Sequence, residues 1–450
     1  MVKRIKRFLI RKLQSKKGAK VSEDRIHKGI EGIEVFQVGE TCRMLGILVP
    51  GAYKGRKKEH VSNTDLFETL ENKNEVLEQI VTLEKRNEEQ YKESRKAAKK
   101  FTRLFHSTVY IKPNDTDLLK RFVEWQYGFA PLGFNVDNYF DYRLYEKTME
   151  EAKTFVDKRF VKERLIQAYF PKRGKRAGIK YLRNKKRFNS LFSKYVNRAF
   201  LDTRDATLQE FEAFLTEHPR FFAKPAAGSL GAGIEIIEYS SGDDAQKLFN
   251  YCQEKGMLIE EIIPQHPELA EFNPETVNSM RITALFPITG EPIITAAVVR
   301  FGRPGSAVDN VSQGGMVANI DLATGKINTP AFDRNDNQYE IHPESRKEIV
   351  GFQIPHWDRV VAAIKEGAAM MPGVRHIGWD LTVTKDGNVE FIEGNSSANF
   401  RTIHLADQIG KKHFYEKFVN EIEEYKAKYP EKANDIYHDG NGRPYISNEA

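Results

Sequence analysis

The chain predicts an α+β fold in which a helical first half precedes a second half of antiparallel strands. Two observations carry this reading. Apolar residues recur at helical spacing up to about residue 195, and from Phe221 onward short apolar strands are separated by turn dipeptides such as Thr289-Gly290, Thr324-Gly325 and Asp386-Gly387.

Residues 1–20 hold nine Lys or Arg and no acid, with Ile5, Phe8, Leu9 and Leu13 at helical spacing. That is the pattern of a short helix lying on an anionic membrane surface. A solvated terminal helix reads equally well from the same residues. In residues 62–105, Leu66, Leu70, Leu77 and Ile80 repeat at helical spacing and a charged run follows, with Ser62 and Asp65 fitting a capping box. These features predict one or two long helices, serving as a scaffold or interaction extension without chemistry. Residues 109–195 alternate short apolar and basic helical stretches, and the aromatic cluster from Phe129 to Tyr145 is read as core packing.

Strands then dominate. Residues 221–224 and 233–238 flank a Gly-rich loop, and residues 257–263 form another apolar strand. Residues 281–286 pair with 292–301 across Thr289-Gly290, and residues 317–321 pair with 326–328 across Thr324-Gly325. Pro355 opens a helix through Met371, and a hairpin reversing at Asp386-Gly387 follows. The residues after about Lys428 read as a polar, peripheral tail.

That hairpin carries the clearest chemical signal. A two-residue primed turn needs positive φ at both centres, which Asp-Gly supplies, and it pairs Lys385 with Asn388. Counting outward, Asp380 faces Glu393, and Asn395 lies on the same face as Glu393. Like charges directly opposite are destabilising unless a cation offsets them. Two carboxylates and an amide on rigid strands suit Mg²⁺, which binds through one or two carboxylates plus substrate phosphates. His376 and His404 lie nearby; a lone histidine beside a strand is more often a satisfied structural residue than a base, and both are left unassigned.

The chain has 450 residues, 40% of them hydrophobic, enough for a large core and more than one lobe. No apolar run approaches the roughly 18 residues of a membrane span, and no signal peptide is evident. Cys42 and Cys252 have no metal-ligand spacing, so neither a disulfide framework nor a zinc site is indicated. A reducing cytoplasm is the compartment expected, with residues 1–20 offering peripheral contact at the inner membrane face. The net charge is +7, yet residues 1–20 and 158–187 contribute +9 and +12, which leaves −14 on the rest. The second basic segment would attract phosphates. No nucleic-acid-binding module with clustered aromatics accompanies it, so no nucleic acid is expected.

The loop Lys224-Pro-Ala-Ala-Gly228-Ser229-Leu-Gly231-Ala-Gly233 joins two strands. Its glycines and serine let backbone N–H groups approach phosphate oxygens, and Lys224 can reach an α- or β-phosphate. It is neither a Walker A loop nor a dinucleotide fingerprint, whose glycines open a helix. Downstream, Glu260 and Glu261 end an apolar strand. Backbone groups at Glu261 and Ile263 are placed to bond an adenine edge, and Glu268 is the candidate for a ribose hydroxyl.

The order Lys224, Gly228 to Gly233, Glu260-Glu261-Ile-Ile, Asn278-Ser-Met-Arg281, Arg300, Asn310 with Gly314-Gly315, Asp380 and Glu393-Gly-Asn395 resembles the ATP-grasp superfamily. More narrowly it resembles the sugar-transfer-associated ATP-grasp proteins, related to α-L-glutamate ligases. The resemblance covers residues 185–398 well and 134–145 loosely. It implies two α+β lobes clamping a nucleotide, preceded here by a helical extension. Lys224 and one of Lys185 and Lys186 would contact the nucleotide, and the loop with Gly228, Ser229, Gly231 and Gly233 would close as a lid. Glu260, Glu261 and Ile263 would form the adenine hinge. Asp380, Glu393 and Asn395 would hold one or two Mg²⁺ ions. Arg281 and Arg300 would face the γ-phosphate and the acceptor carboxylate, with Asn310 beside them.

The organisation expected is therefore an extension (1–107), an N-terminal lobe (108–215), a central nucleotide-binding lobe (216–270), a C-terminal lobe with the metal site (271–428) and a tail (429–450). The activity expected is an ATP- and Mg²⁺-dependent carboxylate–amine ligase working through an acylphosphate. Its substrates would be small carboxylates and amines, such as an amino acid or a carboxylated sugar of polysaccharide or glycoconjugate biosynthesis. A small-molecule kinase on the same scaffold is the alternative. A non-catalytic adaptor is disfavoured because every expected phosphate and metal residue is present.

Overall fold

The computed structural model describes residues 100, 101, 103–105, 121, 125–169, 179–225, 233–288, 291–306, 308–334, 337–371, 373–396, 398, 400–433 and 436. The basic segment 1–20, most of the helices expected over 62–105, Gly228, Ser229 and Gly231 of the loop, the Thr289-Gly290 turn and most of the tail lie outside these residues. Among the described residues no helix is long and apolar enough to cross a membrane. The chain divides into two compact units, Met1–Met149 and Glu150–Ala450, a division that falls within the stretch 108–215.

In the first unit the helix α1 (Val136–Asp141) starts at Asn135, whose side chain and that of Asn138 each accept the other's backbone N–H. This is a capping box built from two asparagines. Phe101, Trp125, Phe129, Tyr139, Phe140 and Tyr145 are buried together, with Phe101 4.9 Å from Phe140 and 5.4 Å from Tyr139 between ring centres. The aromatic cluster is therefore core, as its composition suggested.

In the second unit, after short helical segments between residues 150 and 169, α2 (Ile179–Arg183) and α3 (Lys185–Leu191) precede two antiparallel sheets. The smaller has the order β1-β4-β2-β3, from β1 (Phe200–Asp202), β2 (Arg220–Pro225), β3 (Glu235–Glu238) and β4 (Met257–Glu261). Two helices, α4 (Leu208–Glu217) and α5 (Ala245–Glu254), bury Phe211, Phe214, Leu215, Phe249 and Cys252 in one cluster with Phe221, Met257 and Ile259 of the sheet. Burial pushes the Cys252 thiol up to about 11, which keeps it an inert core residue.

The larger sheet has the order β11-β10-β5-β6-β7-β8-β9. Its strands are β5 (Met280–Leu285), β6 (Ile293–Phe301), β7 (Met316–Asn319), β8 (Ala331–Phe332), β9 (Gln338–Tyr339), β10 (His376–Val383) and β11 (Val389–Asn395). The helix α6 (Trp357–Ala369) packs Val360, Ala363 and Ile364 into the core with Ile282, Trp379 and Phe391. It begins two residues later than the Pro355 signal implied, because His356 is left-handed at φ 52°. The pairing expected of residues 326–328 is reduced to isolated bridges, Ile320 to Ile327 and Lys326 to Gln353. The helices α7 (Phe400–Leu405) and α8 (Lys412–Lys428) close the unit, with Phe418, Val419 and Ile422 in a separate buried cluster.

The final hairpin corrects the turn expected from its sequence. Only Gly387 of the Asp386-Gly387 pair has positive φ, +75°. Thr384 N–H donates to the Asn388 carbonyl at 2.8 Å and Gly387 N–H to the Thr384 carbonyl at 2.9 Å. The connection is therefore three residues, 385–387, with glycine in the left-handed position that such loops require. Lys385 does not pair with Asn388. The register near the turn is one residue off the expected one, with Val383 opposite Val389 and Leu381 opposite Phe391. A bulge then inserts Ile392 as an extra residue, and Asp380 meets Glu393 after all. Two one-residue displacements cancel.

Candidate active site

Two clusters of buried charge converge on the ends of these strands. The first is built on the hairpin. Asp380 on β10 is opposite Arg281 on β5 and Glu393 on β11. Arg281 forks onto Asp380, with Nη2 donating to Oδ2 at 2.7 Å and Nε to Oδ1. Arg300 on β6 brings a second guanidinium, its Nη2 lying 3.1 Å from Asp380 Oδ1. Asn395 donates through Nδ2 to Glu393 Oε1 at 2.8 Å.

The two carboxyls respond in opposite ways. Burial would raise Asp380, but the Arg281 and Arg300 guanidiniums hold it well below the usual carboxylate range. Burial and the neighbouring Asp380 push Glu393 above that range. A hydrogen bond shared with Asp380 pushes it the same way. A hard cation between these oxygens would favour the carboxylate form, and the donor set of two carboxylates and an amide oxygen fits Mg²⁺. Among the described residues no group of three or more His, Cys, Asp or Glu side chains forms a metal cage. A site with two carboxylates matches an ion that completes its shell with water and phosphate oxygens.

Arg300 is held from behind by Asn310, which the resemblance set beside it, and by Ser279 and Asp309, to which no role was given. Its Nη2 donates to Ser279 Oγ at 2.7 Å, and its Nη1 to Asn310 Oδ1 at 3.1 Å. Ser279 in turn donates its N–H and hydroxyl to Asp309 Oδ2, at 2.8 and 2.5 Å. A Cβ on Gly315 would lie 2.2 Å from the Asp309 carbonyl, so only glycine lets this loop close on itself.

The second cluster surrounds Glu260 on β4. Its carboxylate is ion-paired with Lys224 of β2 and with Arg198, whose Nε lies 3.3 Å from Oε2. Burial would raise Glu260, yet the charges of Arg198 and Lys224 outweigh it and hold the carboxyl at about 2. Arg198 also pairs with buried Glu390 of β11 at 2.7 Å. Neither Arg198 nor Glu390 carried a motif signal, since a single arginine ahead of a short strand has no pattern to betray it.

Of the two candidate lysines, Lys185 turns inward, donating to the Pro225 carbonyl at 2.8 Å, while Lys186 pairs at the surface with Asp205 at 2.7 Å. Burial and the Lys224 charge lower Lys185, with Glu260 and Glu393 opposing them. Lys185 thus feels a carboxylate of each cluster. Glu261 uses its N–H on the Ala199 carbonyl at 2.9 Å and accepts Ala199 N–H on its carboxylate at 3.0 Å. Ile263 is buried and Gly233 is left-handed at φ +75°. Glu268 is exposed on the short helix Pro267–Ala270 and lines a cavity of about 880 Å³ with His266, His356 and Trp357, to which neither Lys224 nor Glu260 contributes. His404 is structural: its Nε2 accepts Val156 N–H at 3.4 Å, and burial, with Lys411 nearby, pushes it down to about 3.

The chain resembles several solved structures, each at low identity. An N5-carboxyaminoimidazole ribonucleotide synthetase, purK, in its ADP complex is 11% identical over 49% of this chain and 46% of that one, with a TM-score of 0.32. An L-amino acid ligase from Bacillus licheniformis is 14% identical over 48% and 41%, at 0.30, and the D-cycloserine synthetase DcsG is 12% identical over 54% and 71%, at 0.35. The chain spans about half the length of the first of these. No curated protein sequence matches it. The model of one family, described as sugar-transfer associated ATP-grasp, matches residues 142–420. That stretch holds both charge clusters and both sheets, and the chain belongs to the sugar-transfer associated ATP-grasp family.

Proposed function

We propose that the protein is an ATP- and Mg²⁺-dependent carboxylate–amine ligase. The observation that carries the reading is the group of buried Asp380 with half-buried Glu393 and Asn395, paired with Arg281 and Arg300 and with Lys185 within electrostatic reach of Glu393 and Lys224.

Lys185 and Lys224 bind the phosphates of the nucleotide as point charges, Lys185 in preference to Lys186. The strand end from Glu260 to Ile263 takes the adenine, with the Glu261 N–H already committed to Ala199. Glu268 takes no part in ribose binding on this reading, because its cavity lies outside the cluster. The role of a phosphate lid for the loop with Gly228, Ser229, Gly231 and Gly233 rests on the family resemblance. Asp380, Glu393 and Asn395 hold Mg²⁺, which when bound neutralises phosphate charge. Glu393 would bind the ion as its carboxylate. Arg281 and Arg300 face the γ-phosphate and the carboxylate of the acceptor in addition to the partners they already have. Asn310, with Ser279 and Asp309, fixes the direction of Arg300.

Phosphoryl transfer depends on positioning and charge neutralisation rather than on a protein nucleophile. A substrate carboxylate oxygen attacks the γ-phosphorus and ADP leaves, giving an acylphosphate. An amine then attacks the acyl carbon, phosphate departs with the C–O bond electrons, and the amine proton passes to solvent. The substrates proposed are an amino acid or a carboxylated sugar. With ¹⁸O in the substrate carboxylate, one label is expected in the released phosphate, dependent on added amine. Unlabelled phosphate removes the acylphosphate step, and a phosphorylated product formed without amine replaces the ligase with a kinase.

A further inference from the structure

Arg198 lies just ahead of β1 with its side chain 2% exposed, and its guanidinium joins the Glu260 cluster to the β11 backbone immediately before Glu393. Nη1 donates to Glu390 Oε1 and to the Phe391 carbonyl, both at 2.7 Å. Nη2 reaches the Ile392 carbonyl at 3.4 Å, Asn189 Oδ1 at 3.4 Å and Glu260 Oε1 at 3.5 Å. Glu390 answers by accepting Asn197 N–H at 2.9 Å and Arg198 N–H at 3.4 Å.

Phe391 and Ile392 are the residues of the bulge, where one strand carries a residue its partner cannot match. Ladder bonding is disrupted there, and Arg198 holds both carbonyls. That bulge is what sets Glu393 against Asp380. The opposite edge of the same guanidinium holds Glu260, which holds Lys224.

We infer that Arg198 is a positioning residue that sets the phosphate-binding lysine and the metal-binding carboxylate pair from one rigid group. The inference rests on the nucleotide and Mg²⁺ reading above. Only a planar, five-donor group serves this arrangement, because Lys offers a single point charge. Stability alone does not account for it either, since buried ion networks are often no more stable than apolar replacements.

The test is calorimetric titration of a non-hydrolysable ATP analogue at several Mg²⁺ concentrations, with a thermal unfolding curve for each variant. K224A is expected to weaken nucleotide binding without moving the Mg²⁺ half-saturation measured at saturating nucleotide. R198K is expected to raise both constants by about tenfold or more, as loss of a group supporting metal ligands does, while still unfolding cooperatively. A cooperatively folded R198K that shifts only one constant, or neither, overturns the inference. Should R198K lose cooperative unfolding, E390Q, which retains the guanidinium and the side-chain shape, must raise both constants; unchanged values there overturn it equally. Wild-type protein that takes up no nucleotide with Mg²⁺ removes the functional reading and this inference together, whereas normal wild-type binding with indifferent variants removes only the role of Arg198.

Discussion

The two charge clusters share materials but differ in how their charge is resolved. Around Glu260, the cations Arg198 and Lys224 meet Glu260 and Glu390, and the carboxylate is driven well below its usual range. Around Asp380, two arginines satisfy one carboxylate, and its neighbour Glu393 is pushed above the usual carboxylate range. A cluster complete within the chain serves to position what it touches. One whose second carboxyl lacks a cation of its own is the one proposed to take a ligand.

The largest effect that distinguishes them is on turnover. Asp380→Ala removes the proposed metal ligand and the partner of two arginines. Ligase rate should fall by about 10³-fold or more, the loss of several kcal/mol of charge stabilisation. Lys224→Ala should act mainly on nucleotide affinity, read as a rise in KM for ATP. Equal loss of kcat in both would erase the division between the clusters.

Stability should rank them the other way. Arg198→Met leaves Glu260 and Glu390 buried without a guanidinium, and breaking such a pair costs about 3–5 kcal/mol. Urea unfolding measures it. Adding Glu260→Gln and Glu390→Gln to that variant should restore part of the loss, because the residual cost lies in the stranded carboxylates.

Acid titration separates the clusters by sign. The Glu260 carboxyl sits at about 2 in the fold against an ordinary 4.5. The stability it contributes is fully present above pH 4.5 and is lost as pH falls toward 2. The shift corresponds to about 3 kcal/mol. Glu260→Gln should therefore lower stability at pH 7 and flatten its decline between those values, followed by chemical denaturation across the range.

Much of this contrast was readable in the sequence, and what was missed has a physical reason. Asp380, Glu393 and Asn395 were placed on one face by period-two counting from Asp386-Gly387. That succeeded through compensation, since the three-residue turn and the Ile392 bulge each shift the register by one. A bulge has no dipeptide signature, so its presence could not be counted. Long-range partners were invisible for a related reason. Arg198 and Glu390 are 192 residues apart, and Ser279 and Asp309 are 30 apart. No local period links such positions. The choice between Lys185 and Lys186 fell the same way, because adjacent helical residues point about 100° apart and only the fold decides which direction is inward.

The smallest expected effect is the sharpest in sign. Glu393 binds its proton more tightly in the fold than when unfolded, so its ionisation opposes folding as pH rises through the ordinary carboxylate value and on to the raised one. At neutral pH, with Mg²⁺ chelated, Glu393→Gln removes that opposition and keeps a polar group beside Asp380 and Asn395. The variant should be more stable than wild type by up to about 1 kcal/mol, the range of gains seen when a functional site is relieved of strain, and should lose the stabilisation that Mg²⁺ with nucleotide confers. Asp380→Asn, under the same conditions, should be less stable, because Arg281 and Arg300 lose their anion. Thermal unfolding with and without Mg²⁺ and nucleotide compares the two directly. Stabilisation by the one and destabilisation by the other follow only if the acids differ as their surroundings dictate, one paired within the chain and the other held for an incoming cation.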